Sequence, residues 1–252
     1  MVMKEVSHRR VVDAIAGWIV GETYPPGSAL PTEPEICVRL SCSRTTVREA
    51  VKALIAKGLL TTGPRVGTHV LAPERWNLFD PDVIGWRLQA GVDGTFIRDV
   101  VELRLALEPS AGALAAERAE AADIAALDSA LAAMKAGSRR GASDLGGWLA
   151  GDFAFHKAVL AATHNQFFRG VTPLIEAILR VSFRFSITSA TVMRGSLPLH
   201  RGVRDAIADH DCAQAKARLQ ALIESARSDI DAAHAPKRGR ARRITFKLGD
   251  AA

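Results

Sequence analysis

The sequence predicts a mainly α-helical chain of two domains: an N-terminal helix-turn-helix with a two-stranded wing, and a C-terminal all-helical bundle. Three observations predict it. Residues 31–70 carry two capped helices, a three-residue break and two short strands around a Gly-bounded turn. From Thr95 to Ala235 the composition turns rich in Ala, Leu and Arg, with apolar residues at helical spacing between polar or Gly-rich breaks. Charge divides along the same lines: residues 1–72 are net +3, residues 73–235 net −2 and residues 236–252 net +5. The expected organisation is a winged domain over 1–72, a linker over 73–94, a helical domain over 95–235 and a solvated, disordered basic tail over 236–252.

Each element has a local reason. Val6–Val20 reads as a first helix with Val12, Ile15, Ala16 and Ile19 on one face. Tyr24-Pro25-Pro26-Gly27 marks a turn. Thr32 with Glu35 three residues on is a capping box that starts the second helix. Pro34 falls in its first turn, where a missing N–H costs little. That helix is expected to end near Leu40. After the break at Ser41–Ser43, Ser43 caps a third helix, with Val47, Ala50, Val51 and Leu54 on one face and Gly58 as its stop. Strands are expected at Leu59–Thr62 and Thr68–Leu71. Trp76, Leu78 and Phe79 read as linker packing, and helical spacing resumes only after Pro81. The second domain is expected to hold six or seven helices, with breaks near Gly137–Gly147, His164-Asn165, Ser189–Ser196 and Asp209–Asp211, and a kink or short break at Pro109.

The third helix opens with Ser43, Arg44, Thr45, Thr46 and Arg48. Short hydroxyls and long cations on the exposed first turns of such a helix suit phosphates and base edges. A recognition helix reads a major groove mainly with its N-terminal residues. Alone, such a cluster is more often a solvated, capped helix face. The ordered pattern of cap, turn, basic start, Gly stop and wing favours double-stranded DNA. Arg65, Gly67, Thr68 and His69 of the wing complete the candidate contacts.

In the second domain, Asp152 and His156 are four apart and share a helix face. With His200, expected at the start of a later helix, they form a carboxylate and two imidazoles that suit a divalent transition metal. A plain Asp152–His156 ion pair and a surface His200 compete with that reading. Arg104 stands four residues before Glu108, the spacing of an ordinary ion pair.

Composition excludes other classes. A hydrophobic content of 48% supports two domains with real cores. No apolar run reaches membrane-spanning length and no signal-peptide pattern is present, so a soluble cytoplasmic protein without a membrane partner is expected. Cys37, Cys42 and Cys212 lack metal-site spacing and read as reduced thiols, Cys37 and Cys42 as small buried residues. A metal-dependent enzyme on Asp152, His156 and His200 would need a nucleophile or general base, and no HExxH, GxSxG or phosphate loop offers one. A DNA-binding protein whose helical domain only dimerises is the other alternative.

Residues 6–71 resemble the winged-helix domain of the GntR family of bacterial transcription regulators. The matching pieces are Pro26-Gly27, Leu30-Pro31, Glu33, Glu35, Ser43 to Ala50, Leu54, Gly58-Leu59, and Gly67-Thr68 with Val70. Pro34 departs from the basic residue usual there, which implies one DNA contact absent or moved; His69 is a milder departure. Residues 95–235 resemble the FCD effector domain of the FadR-type branch, through Arg104 with Leu107-Glu108-Pro109, Ala115 to Ala119, Asp152 with Phe155-His156, Asn165, and His200 with Ala206-Ile207.

The resemblance implies a homodimeric, ligand-released regulator of operator DNA. It also implies zinc or nickel on an aspartate and three histidines, with the effector's carboxylate on the metal. Asp152, His156 and His200 match three of those ligands; Leu222 stands at the fourth, so the site is incomplete. That departure, with residues 76–84 and 117–131, resembles a sub-branch of galactonate-operon type. It implies a repressor of sugar-acid catabolism whose effector is an aldonic acid such as D-galactonate. Arg104 would bind the carboxylate bidentately, while Asp152, His156, His200 and Asn165 would bind hydroxyls.

Overall fold

The computed structural model describes residues 7–64, 66–140, 144–186 and 190–234. Arg65 and the basic tail lie outside the described residues. The chain divides between Val92 and Asp93 into two compact units.

In the first unit, helix α1 (His8–Val20) starts at Ser7, whose hydroxyl accepts from the Arg10 N–H at 3.4 Å. It buries Val11, Val12, Ile15, Ala16 and Ile19 on one face. Helix α2 (Glu33–Leu40) follows Thr32, whose backbone N–H and hydroxyl both donate to Glu35 Oε2, at 2.7 and 2.8 Å. Ser41 ends α2 in the left-handed region at φ 51°. Helix α3 (Arg44–Ala56) turns Val47, Ala50 and Leu54 into the same core as α1 and Ile36 of α2.

Gly58 ends α3 for two physical reasons. Its φ is +78°, which an L side chain resists, and a Cβ there would stand 2.3 Å from the Arg75 carbonyl oxygen. Strands β1 (Leu60–Gly63) and β2 (Gly67–Val70) pair antiparallel, with Leu60 opposite Val70 and Gly63 opposite Gly67. Each is displaced one residue from its expected bounds. The segment read as a turn also does more than turn. Gly27 N–H donates to Val70 O at 2.8 Å, and Leu30 N–H to Thr68 O at 2.9 Å, so residues 27–30 run along the free edge of β2.

The stretch expected as a linker packs on the first unit. Residues 81–90 form helix α4 (Pro81–Ala90), capped by Asp80, and its Val83 and Trp86 belong to the core of the first unit. Trp76 is buried there too and donates from Nε1 to the Leu71 carbonyl at 3.0 Å. Phe79 stays exposed. Four apolar residues in ten cannot show from sequence which surface they cover; the surface is supplied by α1 and the end of α3. Cys37 and Cys42, expected to be buried, are half-buried, and Cys212 is exposed.

The second unit holds seven helices among the described residues: α5 (Gly94–Arg118), α6 (Ala121–Arg140), α7 (Leu145–Ala162), α8 (Gln166–Gly170), α9 (Thr172–Ser186), α10 (Ala190–Ala208) and α11 (Cys212–His234). Its core gathers Leu127, Met134, Trp148, Phe155, Leu160, Ile175, Ile207 and Leu219. Helices α6 and α7 approach so closely that a Cβ at Gly151 would stand 2.7 Å from the Met134 backbone nitrogen. Of the kink or short break expected at Pro109, there is no break: α5 runs through it. Likewise α10 runs through Pro198, so His200 lies inside that helix and not at its start. Both prolines leave a carbonyl four residues back without its helical donor, a local loss that burial of the rest of the helix outweighs. No described helix is long and apolar enough to cross a membrane.

Candidate functional site

The opening of α3 presents Ser43, Arg44, Thr45 and Arg48 to solvent. Ser43 Oγ accepts from the Thr46 N–H at 3.1 Å and pairs with Thr46 Oγ1 at 2.8 Å, which fixes the first turn. Arg48 Nε stands 3.7 Å from Glu33 Oε1, an exposed pair of little energetic weight. Pro34 is exposed in the first turn of α2. On β2, Gly67 is exposed while Thr68 and His69 are half-buried. The sequence-predicted contacts described here therefore sit on one helix start and one strand.

The second unit contains a buried polar centre. Asp152 and His156 project from α7 and His200 from α10, and one ligand atom of each lies within 4.8 Å of the others. All three are buried, as are Arg104 and Glu108 of α5. Phe155 packs edge-on against the His200 ring at 4.9 Å and closes one side with carbon. Polar groups so enclosed need partners.

The partners can be traced atom by atom. Arg104 Nε donates to Glu108 Oε1 at 2.6 Å. Glu108 Oε2 stands 2.5 Å from His156 Nδ1, though off the N–H line, so the contact is an electrostatic pairing and not a well-formed hydrogen bond. Burial pushes the Glu108 carboxyl up; the charges of Arg104 and His156 outweigh it and lower it to about 2. His200 Nδ1 stands 2.9 Å from the Ser196 carbonyl oxygen. A carbonyl only accepts, so Nδ1 donates to it. His200 Nε2 faces Asp152 Oδ1 at 2.9 Å, again without hydrogen-bond geometry. His156 Nε2 stands 4.0 Å from Asp152 Oδ2. Burial raises the Asp152 carboxyl, but the neighbouring imidazoles and Arg104 hold it below its usual value.

His156 Nε2 and His200 Nε2 thus both face the Asp152 carboxylate, and the buried His200 Nε2 has no well-formed hydrogen bond. A buried carboxylate and two imidazoles so grouped fit a cation held by Asp152, His156 and His200. Leu222, at the register of a fourth ligand, is buried among apolar side chains, so the described residues offer three donors.

Comparison with known proteins decides the family. Residues 7–70 match the model of bacterial regulatory proteins of the gntR family, and residues 99–225 match the FCD domain. The chain belongs to the GntR family and carries an FCD domain. It is 34% identical over 218 residues to the uncharacterized HTH-type transcriptional regulator YieP of Escherichia coli, covering 85% of this chain and 91% of that one. It is 32% identical over 217 residues to the galactonate operon transcriptional repressor of the same organism, covering 86% and 93%. Among solved structures, Lar of Listeria monocytogenes shares the fold with a TM-score of 0.60 at 15% identity, covering 90% of this chain and 98% of that one.

As a GntR/FCD protein, the chain is a transcription regulator and not an enzyme; its reading head binds operator DNA and its FCD domain takes a small-molecule effector. Within the FCD domain the structure brings Asp152, His156 and His200 together. Arg104 realises the ion pair with Glu108. Asn165 caps α8, its side-chain oxygen accepting from the Phe167 N–H at 2.9 Å. Glu108 was missed as a member of the centre. Its four-residue spacing from Arg104 was visible, but its approach to His156 joins two helices and has no sequence signature.

Proposed function

We propose that this regulator represses sugar-acid catabolism and leaves its operator when an aldonic acid, D-galactonate or a close relative, enters the FCD domain. The observation that carries the reading is the buried centre of Asp152, His156 and His200 in an otherwise apolar helical core. The 32% identity to a galactonate operon repressor supports the choice of acid. Zinc or nickel fits the carboxylate–imidazole donor set, and Asp152, His156 and His200 would hold it. When bound, a divalent cation supplies open coordination positions for the carboxylate and hydroxyls of a sugar acid. The residues themselves orient the ligand: Asp152 accepts from hydroxyls, and Phe155 keeps water from the imidazoles.

The reading head contacts DNA through Ser43, Arg44, Thr45, Thr46 and Arg48 of α3 in the major groove, with Arg65, Gly67, Thr68 and His69 at the wing. A homodimer presents two such heads to the halves of a palindromic site. Release requires that the acid bind one conformational state better than the other; tight binding to both would shift nothing.

The test is operator binding, with DNA from upstream of the protein's own gene, against a panel of aldonic and uronic acids, before and after chelation. Release by one acid, lost on chelation, is the expected result. Tight DNA binding that no acid disturbs would overturn the sugar-acid reading and favour a helical domain that only dimerises.

A further inference from the structure

Both imidazoles of the buried centre point the same way. His200 has Nδ1 held by the Ser196 carbonyl and Nε2 toward Asp152. His156 has Nδ1 against the Glu108 carboxylate and Nε2 toward Asp152. A metal-binding imidazole is regularly oriented by an acceptor on its other nitrogen, which fixes the tautomer, the ring angle and the basicity of the ligating atom. For His200 that acceptor is a backbone carbonyl on its own helix. For His156 it is a side chain from a different helix, α5, so it can be removed by mutation without altering any ligand.

We propose that Glu108, held in place by Arg104, is the positioning residue that turns His156 Nε2 toward Asp152 and His200 and thereby sets the cation affinity of the centre. This rests on the cation reading given under Proposed function. Glu108 does not join the ligand set: its two oxygens face Arg104 Nε at 2.6 Å and His156 Nδ1 at 2.5 Å. Arg104 supplies the charged partner that a buried carboxylate needs and fixes its orientation. Arg104 therefore serves the centre through Glu108.

The experiment is zinc affinity of the full-length protein, measured by competition with a chromophoric chelator, for wild type and Glu108→Gln. The substitution keeps the shape and removes the charge. Affinity is expected to fall by about 10–100-fold, the usual effect of losing such an orienting partner. Asp152→Ala, which deletes a ligand, is expected to abolish tight binding. In parallel, nitrogen NMR of histidine-labelled wild type with zinc is expected to show His156 protonated at Nδ1 and metal-bound at Nε2. Wild-type affinity in Glu108→Gln, or a His156 ligated through Nδ1, overturns the positioning role and leaves the cation reading standing. A folded wild type that binds no zinc or nickel overturns both. Should Glu108→Gln fail to fold, the ring assignment in the wild type decides.

Discussion

Trp86 of α4 donates from its indole nitrogen to Asp13 of α1 at 2.8 Å, across 73 residues of chain. Around it, Arg9 joins Asp13 and Asp82 at 2.9 Å each, and Lys57 joins Asp80 at 2.6 Å and Asp82 at 2.9 Å. Arg9 and Lys57 also stand over the indole ring, 6.0 and 5.8 Å from its centre. The segment that follows the wing is thereby built into the winged unit, at the end of α3. Replacing Trp86 by Ala removes a buried ring and its hydrogen bond to Asp13, and is expected to cost about 3–5 kcal/mol. Chemical denaturation of both proteins measures it.

The same cluster gives a pH dependence. Burial raises the Asp82 carboxyl, but hydrogen bonds from Lys57 and Arg9 outweigh it and hold it below 3.8. A carboxyl lowered by folding stabilises above its unfolded value and loses that contribution as pH falls through the folded one. The stability difference between wild type and Asp82→Asn is therefore expected to be up to about 1 kcal/mol near neutrality, for a partly exposed cluster. It should shrink as pH falls below 3.8. Thermal melts of the pair across pH measure the difference directly, and a constant offset would remove the assigned role.

Gly58→Ala forces a side chain into φ +78° and against the Arg75 carbonyl at 2.3 Å. The left-handed conformation alone costs about 1–2 kcal/mol, and the backbone clash adds to it. A lowered melting temperature with weakened operator binding is the expected outcome, because the end of α3 would have to move.

Arg44→Ala and Arg48→Ala each remove an exposed cation from the first turns of α3. Neither is buried, so stability should stay within about 0.5 kcal/mol. Operator affinity should fall, and a lost phosphate contact should reduce the salt slope by about one per cation. Fluorescence anisotropy at several salt concentrations checks both. Unchanged affinity in both variants would sink the α3 assignment.

Much of this architecture was legible because it is local. The Thr32–Glu35 box, the Ser43 cap and the Gly58 stop act within a few residues, and each stands where its spacing puts it. What depended on other parts of the chain was not legible. Residues 27–30 became an edge beside β2 because a wing strand had free backbone groups to pair. Helix α4 was read as linker because its partners lie in α1 and α3. The expected break ending near Ser196 and the helix start at His200 are not there, because α10 passes through Ser196 and Pro198. The candidate centre divides in the same way. Asp152 and His156 pair by spacing, and His200 joins them by donor chemistry, a grouping the resemblance strengthens; Glu108 reaches His156 only once α5 and α7 have packed.

The most direct measurement is operator binding with and without D-galactonate for wild type and Asp152→Ala. The account predicts that both hold the operator equally and that the acid releases only the wild type, because the substitution lies in the FCD domain and removes one of three donors. Equal release of both proteins would contradict it and move the effector away from Asp152, His156 and His200.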